Sequence, residues 1–171
     1  MSKVKLIFIL FLFISCNAKK DKDIKEYYSN GIPKSILVKI IDSANQFTYF
    51  EYYQTGFIKS IQSLKNDTVS GQLISFYENG MLEKKIIVDS NGISNGMAYW
   101  FYPNGVLKSI RNYQKGIEVG FGGDYWNKPY GIIQSSFLFN DSGKIFYKMN
   151  YDSNGIFLYS EGIKPDYWKG D

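Results

Sequence analysis

The sequence predicts an all-β fold, an antiparallel meander of repeated β-hairpins in an extended or gently rolled sheet. An aromatic pair runs into a glycine-ended turn four times, at residues 27–31, 52–56, 76–80 and 101–105. The four turn glycines are 25, 24 and 25 positions apart. Gly, Asn, Asp and Ser interrupt every helical period. Units of this length cannot bury a core alone, so we expect an array in which neighbouring units stabilise one another.

The N-terminal segment has the pattern of an export signal. Lys3 and Lys5 precede the apolar run 6–14, which is shorter than the roughly 20 residues that span a bilayer. The residues Phe-Ile-Ser-Cys at 13–16 resemble a bacterial lipobox. We therefore predict a lipoprotein signal peptide over 1–15, lipidation at Cys16 and a lipidated tether over 16–26. Asn17 is not the aspartate of inner-membrane retention, which favours the outer membrane of the cell envelope, on its periplasmic or surface face.

The repeats occupy residues 27–120, and each has the pattern of a hairpin. Two strand-like runs flank Asn79-Gly80, a dipeptide typical of a type I′ turn, in which both central residues have positive φ. Apolar residues two and five places after the glycine break strict alternation and predict a bulge in each unit. A second glycine set, Gly71, Gly96 and Gly120, is expected to join successive hairpins, which makes at least eight strands.

The aromatic pairs supply the first candidate binding surface. Adjacent residues of a strand point to opposite faces, so the pairs predict an aromatic ladder on each side of the sheet. A sheet that is covered on one side leaves the second ladder accessible. We take Tyr53, Tyr77 and Tyr102 as candidate binding residues.

After Gly120 the period is expected to fail, and residues 121–130 are predicted to be an insert loop. Asp124, Tyr125 and Trp126 lie in it, and such residue types are enriched at binding hot spots. Two interpretations stay open: a binding loop, or a plug in which Trp126 covers the open end of the sheet. Residues 131–171 are predicted to be degenerate repeats that end in a C-terminal cap over 156–171, and Tyr167 and Trp168 lie in this cap.

The composition argues against an enzyme. The chain contains no histidine and one cysteine, Cys16, so triad catalysis, a zinc site and a thiol nucleophile are not expected. We predict no catalytic residue, no metal and no cofactor. The net charge falls from +4 to +2 when Lys3 and Lys5 leave with the signal, which gives no basis for nucleic-acid binding.

The repeat resembles a known family. The pattern aromatic-Tyr-x-Asn-Gly-x-Leu-Lys-x-Ile, followed by the glycine spacing of residues 113–120, is similar to the bacterial variant of the MORN repeat. The likeness covers residues 27–120 and, more loosely, 131–160. It implies a hairpin array without enzymatic activity, and an antitoxin or immunity role toward a toxin, as some members have.

The predicted function is that of a non-enzymatic, lipid-anchored repeat module that mediates protein–protein interaction at the cell envelope. An antitoxin-type or immunity-type role toward a toxin is one form of it. The alternatives are an envelope glycan-binding protein, because tyrosine and tryptophan rings stack on sugars, and a purely structural lipoprotein.

Overall fold

A computed structural model describes residues 22–40 and 45–165 of the chain. The predicted signal peptide, Cys16, the first part of the tether, Tyr167 and Trp168 lie outside these residues. The described part contains thirteen strands. They are β1 (Lys22–Tyr27), β2 (Pro33–Lys39), β3 (Gln46–Tyr52), β4 (Ile58–Lys65), β5 (Thr68–Phe76), β6 (Leu82–Val88), β7 (Gly96–Phe101), β8 (Leu107–Gln114), β9 (Ile117–Glu118), β10 (Gly120–Tyr125), β11 (Ile133–Phe139), β12 (Ile145–Tyr151) and β13 (Phe157–Gly162).

The strands form one antiparallel meander, which confirms the predicted fold class. Each strand pairs with its neighbour in sequence from β1 to β8 and from β10 to β13, while β8 pairs with both β9 and β10. The Val119 amide donates to the Asn112 carbonyl at 2.8 Å, so β9 and β10 continue one interrupted strand opposite β8. Across the described ranges there is no helix of the length and apolarity that a membrane span requires.

A bulge lies at the turn end of each repeat, as the sequence predicts. In the second repeat Glu51 pairs with Ser60 but Tyr52 pairs with Ile58, which leaves Lys59 as the additional residue. Equivalent register shifts occur in the hairpins β1–β2, β5–β6, β7–β8, β10–β11 and β12–β13. The bulge residues at equivalent positions are Lys34, Lys59, Glu83, Lys108, Gln134 and Leu158.

The turn type differs from the prediction. The Gly80 amide donates to the Tyr77 carbonyl at 2.9 Å, and Gly80 alone of the Asn79-Gly80 pair has positive φ, +82°. The turn is therefore a type I turn followed by a left-handed glycine, and the predicted type I′ turn is wrong. The Asn79 side chain stabilises the type I form of the turn, because it accepts from the Met81 amide at 3.0 Å and donates to the Pro103 carbonyl at 2.7 Å.

The second glycine set does not join the hairpins, so that prediction is wrong as well. Gly71 lies inside β5, and Gly96 and Gly120 are the first residues of β7 and β10. Two of the joining turns come earlier, at 66–67 and 115–116, where both residues have positive φ. Type I′ geometry therefore does occur, but on the opposite edge of the sheet from the aromatic pairs.

The sequence predicts that the period fails after Gly120 and that degenerate repeats follow over 131–171, but the next hairpin, β10 and β11, starts directly at Gly120. The Trp126 amide donates to the Ile132 carbonyl at 2.9 Å, the bond that closes each of the four earlier aromatic turns, but this turn is two residues longer than its counterpart at 102–106. Gly131 and Gly155 have φ of +75° and +80° and hold the turn-glycine position. Residues 121–125 of the predicted insert loop lie in β10, and only 126–132 form the loop.

The N-terminal boundary of the sheet also differs from the prediction. β1 begins at Lys22, inside the segment predicted as tether over 16–26, and Ile24 pairs with Ile36 of β2. The last five residues of that segment therefore belong to the sheet. The sequence does not predict this strand, because an edge strand with alternating charges lacks the alternation of apolar and polar residues that identifies a strand.

The core is thin and distributed along the sheet. The buried apolar side chains are Ile36, Val88, Ala98, Phe137, Phe139 and Tyr147. Within the described ranges no large side chain is fully buried. Each hairpin is thus stabilised chiefly by pairing and packing against the next hairpin, as in other repeat arrays.

Candidate binding surfaces

One row of residues, polar except for Trp100, crosses the sheet near the aromatic turns. The register aligns Glu26, Ser35, Glu51, Ser60, Ser75, Lys84, Trp100, Ser109, Asp124, Ser135 and Asn150. We call the side that carries this row the serine face. Ser60 donates to Glu51 at 2.9 Å and Ser109 donates to Asp124 at 2.9 Å. These cross-strand bonds satisfy hydroxyls that would otherwise be costly to bury.

The second aromatic of each pair forms a ladder of hydrogen bonds from one repeat to the next. Its hydroxyl donates to the backbone carbonyl of the first aromatic in the following repeat. Tyr53 donates to Phe76 at 2.8 Å, and Tyr77 donates to Phe101 at 2.8 Å. Tyr28 and Tyr102 make the same bond, at 2.9 and 3.0 Å. The predicted binding residues Tyr53, Tyr77 and Tyr102 are therefore half-buried rungs that hold the repeats in phase.

The pKa values of Tyr53 and Tyr77 agree with this connecting role. Burial raises the pKa of Tyr53, and the carboxylates of Glu83, Glu78 and Glu51 raise it further. Burial and Glu83 also raise the pKa of Tyr77. Both hydroxyls stay protonated at neutral pH and remain donors to the carbonyls that they contact.

A cavity of about 410 Å³ opens on the serine face between β8 and β10. Arg111 forms one wall, with Nη2 2.8 Å from Asp124 Oδ1 and Nε 3.6 Å from Glu118 Oε2. Its Nη1 donates to two backbone carbonyls, and the guanidinium lies 4.9 Å from the Phe137 ring centroid. Two carboxylates and two backbone carbonyls thus balance the charge of this half-buried guanidinium. We call this the β8–β10 cavity, and its rim carries Trp100, Tyr102, Lys108, Ser109 and Gln134.

Arg111 is not among the site residues predicted from the sequence, although a signal for it exists. It is the only arginine among the 20 basic residues of the chain. Arginine suits a site where one cation must bind carboxylates and carbonyls in fixed directions. Arg111 lies in the middle of β8. A lysine there would be enough to keep the strand soluble, so the arginine is the sequence signal for a specific role.

Tyr113 closes the far side of the same cavity. Its hydroxyl donates to Glu118 Oε1 at 2.9 Å. Burial, this hydrogen bond and the Glu118 charge raise the pKa of Tyr113 to about 12, against a lowering by Arg111. The phenol is therefore a neutral hydrogen-bonding group and not a base at neutral pH.

A second cavity repeats the arrangement near the N-terminal end of the sheet. It has a volume of about 310 Å³ and lies between β2 and β3, and we call it the β2–β3 cavity. Lys34 lies 5.6 Å from the Tyr28 ring centroid, as Lys108 lies 5.7 Å from that of Tyr102. Its rim residues Glu26, Tyr28, Lys34, Ser35, Glu51 and Lys59 correspond, in register order, to Trp100, Tyr102, Lys108, Ser109, Asp124 and Gln134.

An apolar stripe follows the aromatic turns along one edge of the sheet. The residue after each turn glycine is apolar, and we call this set the turn stripe: Ile32, Phe57, Met81, Val106, Ile132 and Ile156. Met81 Sδ reaches to 3.6 Å of the position that a Cβ on Gly105 would occupy, one repeat further. Phe57 is 56% exposed and Met81 48%. The stripe was missed from the sequence, where the apolar residue two places after the glycine gives the clearer pattern.

The repeats can now be compared with known families. Residues 70–88 and 94–115 match the family model of the MORN repeat variant. These two segments are therefore similar to repeats of this family. Such repeats generally serve as modules for interaction with proteins or membranes. No curated protein matches the chain.

The tyrosine ladder also explains the position of Trp126. Trp126 takes the place of the tyrosine in the fifth repeat, and its ring N–H is buried without a partner among the described residues. It does not plug an open end, because β11, β12 and β13 follow it. The exposed aromatic of this loop is Tyr130, at 65%.

The structure brings the predicted site residues together only in part. Tyr102 donates to the Tyr125 carbonyl, and both Tyr102 and Asp124 line the β8–β10 cavity. Tyr53 and Tyr77 lie at equivalent rungs in other repeats. Among the described residues no group of three His, Cys, Asp or Glu side chains could hold a metal ion. The arrangement provides surfaces for binding: one apolar edge and two polar, aromatic cavities.

Proposed function

We propose that this chain is a non-enzymatic MORN-repeat module that binds a protein partner at the bacterial cell envelope. The turn stripe carries the proposal. Contiguous apolar residues that stay exposed on a monomer mark interaction surfaces. Neighbouring stripe residues are two strands apart, about 10 Å, and the exposed pair Phe57 and Met81 lies at adjacent positions of the stripe, whereas Ile32, Val106 and Ile132 are half-buried. The shallow groove lined by Phe57, Ile58 and Phe76 supplies a place for an anchoring side chain of the partner.

The partner that we propose is a secreted or wall-associated toxin. The resemblance of the repeats to antitoxin-like and immunity-type arrays supports it. The module would act by steric occlusion, covering a site on the toxin without performing chemistry on it.

The place of action that we propose is the outer membrane, through a lipid on Cys16. The short apolar run and the lipobox-like residues before Cys16 support this anchor. Replacing Cys16→Ser should release the chain from the membrane fraction and abolish labelling by a radioactive fatty acid. Unchanged fractionation and labelling of the variant would rule the anchor out.

The binding proposal is tested by purifying the tagged full chain from its own envelope and identifying bound proteins by mass spectrometry. The stripe variant carries Phe57→Ser and Met81→Ser. The matched control is Ile87→Ser, an exposed isoleucine inside β6 and away from the turns. We expect one stoichiometric protein to remain with the wild type and the control and to be lost from the stripe variant. Absence of such a protein, or its retention by a folded stripe variant, would contradict the proposal.

Envelope glycan binding is the second candidate, and the two cavities of the serine face favour it. A purely structural role is the third candidate and needs neither the exposed stripe nor the cavities. If folded variants of the turn stripe and of the cavities bind proteins and sugars as the wild type does, the third role is favoured.

A further inference from the structure

The two cavities of the serine face share a chemistry that the turn stripe lacks. Each has a tyrosine beneath a lysine ammonium, a serine in the polar row and a carboxylate on the next strand. In the β8–β10 cavity these are Tyr102, Lys108, Ser109 and Asp124. The same positions recur in the β2–β3 cavity because both lie at the same place in the repeat.

The charges of each cavity balance. Lys108 and Arg111 face Glu118 and Asp124 in the β8–β10 cavity. Arg111 is already bound to both carboxylates and to two carbonyls, so it offers no free charge to an anion. An anionic ligand would meet Asp124, and a cationic one would meet Lys108. A ligand without net charge avoids both repulsions.

The remaining lining suits hydroxyl groups and a flat apolar face. Trp100 supplies a broad ring, Gln134 an amide that both donates and accepts, and Ser109 a hydroxyl. A sugar ring presents the complementary groups: hydroxyls that donate and accept, and a face of C–H bonds that packs on an aromatic ring. The volume of about 410 Å³ is within the range of small-ligand clefts.

We propose that the β8–β10 cavity binds a neutral sugar unit and that the β2–β3 cavity is a second, equivalent subsite on the same face. The two cavities are six strand positions apart, from β2 to β8, which is about 29 Å across the sheet. A glycan of repeating neutral units that crosses this distance would occupy both subsites. Its affinity would exceed that of a fragment confined to one of them.

The subsites are similar but not identical. Glu26 stands at the register position of Trp100, so the β2–β3 cavity lacks the indole. Tyr49 supplies an aromatic ring there instead, at the register position that Gly122 occupies in β10. Tyr52 also lines the β2–β3 cavity, so each cavity has three aromatic side chains, but only the β8–β10 cavity has an indole. Short glycans should therefore prefer the β8–β10 cavity.

The proposal does not depend on the protein-binding function, because the turn stripe and the cavities use different residues. Titration calorimetry of the full chain would use cellotetraose, maltotetraose and chitotetraose as neutral probes and inorganic phosphate as the anionic probe. The site variants are Trp100→Ala and Gln134→Ala. The matched control is Tyr99→Ala, an aromatic of the same strand on the opposite face.

We expect at least one neutral tetrasaccharide to bind, the site variants to weaken its binding about tenfold or more, and the control to match the wild type. Phosphate should not bind. A longer chain of the same sugar should bind more tightly than the tetrasaccharide, and the further change Tyr49→Ala should remove that advantage. The proposal fails if no neutral probe binds, or if binding survives Trp100→Ala in a protein that melts like the wild type. Loss of a co-purified protein on Trp100→Ala, without sugar binding, would reassign the cavity to the protein interface.

Discussion

At the scale of single residues, Gly122 decides whether Arg111 can form its network. Its backbone is ordinary extended strand, so conformational freedom is not the reason for glycine here. A Cβ at this position would lie 3.0 Å from Phe139 Cε2 and 3.1 Å from Arg111 Cδ. The absence of a side chain lets the Arg111 stem cross β10 and bring its guanidinium to Asp124.

We expect Gly122→Ala to lower the free energy of unfolding by about 1–3 kcal/mol, because the added methyl overpacks a site between a ring and an arginine stem. Urea unfolding followed by circular dichroism measures it. The control is Gly123→Ala, in the same strand, where the nearest atoms are at ordinary contact distances of 3.5 and 3.6 Å. Equal effects of the two substitutions would show that the close approach at Gly122 is unimportant.

The raised pKa of Tyr113 makes the free energy of unfolding depend on pH above pH 10. Its pKa is raised in the folded chain from 10 to about 12, so the folded state favours the protonated phenol. The stabilisation is fully present below pH 10 and is lost as the pH rises from 10 through about 12. We expect Tyr113→Phe to flatten the fall of unfolding free energy across this window, measured by urea titrations at stepped pH. A fall as steep in the variant would assign the dependence to other groups.

At the scale of the hairpin, the sequence supports the meander, the period and the bulges, because each leaves a mark at fixed spacing. The position of Ile58 and Ile61 after Gly56 is enough to place a bulge. The turn type could not be predicted from the sequence, because it depends on the hydrogen bonds of the Asn79 side chain, one of which is to the next repeat. Arg111 and its cavity were equally hidden, because they require knowing that Gly122 lies opposite Phe137 and beside β8.

The fifth turn shows how a small insertion conceals a repeat. Two additional residues between Trp126 and Ile132 shift the glycine spacing, while the closing hydrogen bond is preserved. We expect deletion of Pro129 and Tyr130 to be tolerated, because it restores the length of the turn at 102–106. The free energy of unfolding should change by less than about 1 kcal/mol, since loop length affects closure entropy only weakly. Loss of a cooperative thermal transition in the deletion variant would mean that the longer turn is required.

At the scale of the whole molecule, the two end strands of the sheet differ. β1 carries alternating charges, whereas β13 presents Phe157, Leu158 and Tyr159 with about half of each side chain exposed. The predicted C-terminal cap over 156–171 begins, in its described part, with this exposed strand. β13 pairs with β12 on one side, through five residue pairs.

We expect stability to decline toward β13. Amide hydrogens of β13 should exchange faster than those of β5 to β8, because an end strand of a repeat array opens locally with few contacts to lose. Hydrogen exchange followed by mass spectrometry on peptides from the two regions measures the difference. Uniform protection along the chain would show that the sheet opens as a single cooperative unit.

The order of the strands has a consequence for how the chain acquires its structure. Every strand pairs with strands that are its near neighbours in sequence. A chain that emerges from its N-terminus can therefore pair each hairpin on the preceding one as it appears, and no strand waits for a distant partner. Local pairing of this kind shortens the time for which bare strand edges are accessible to other chains. The sheet of this protein can thus grow from its N-terminal strand outward, one hairpin at a time.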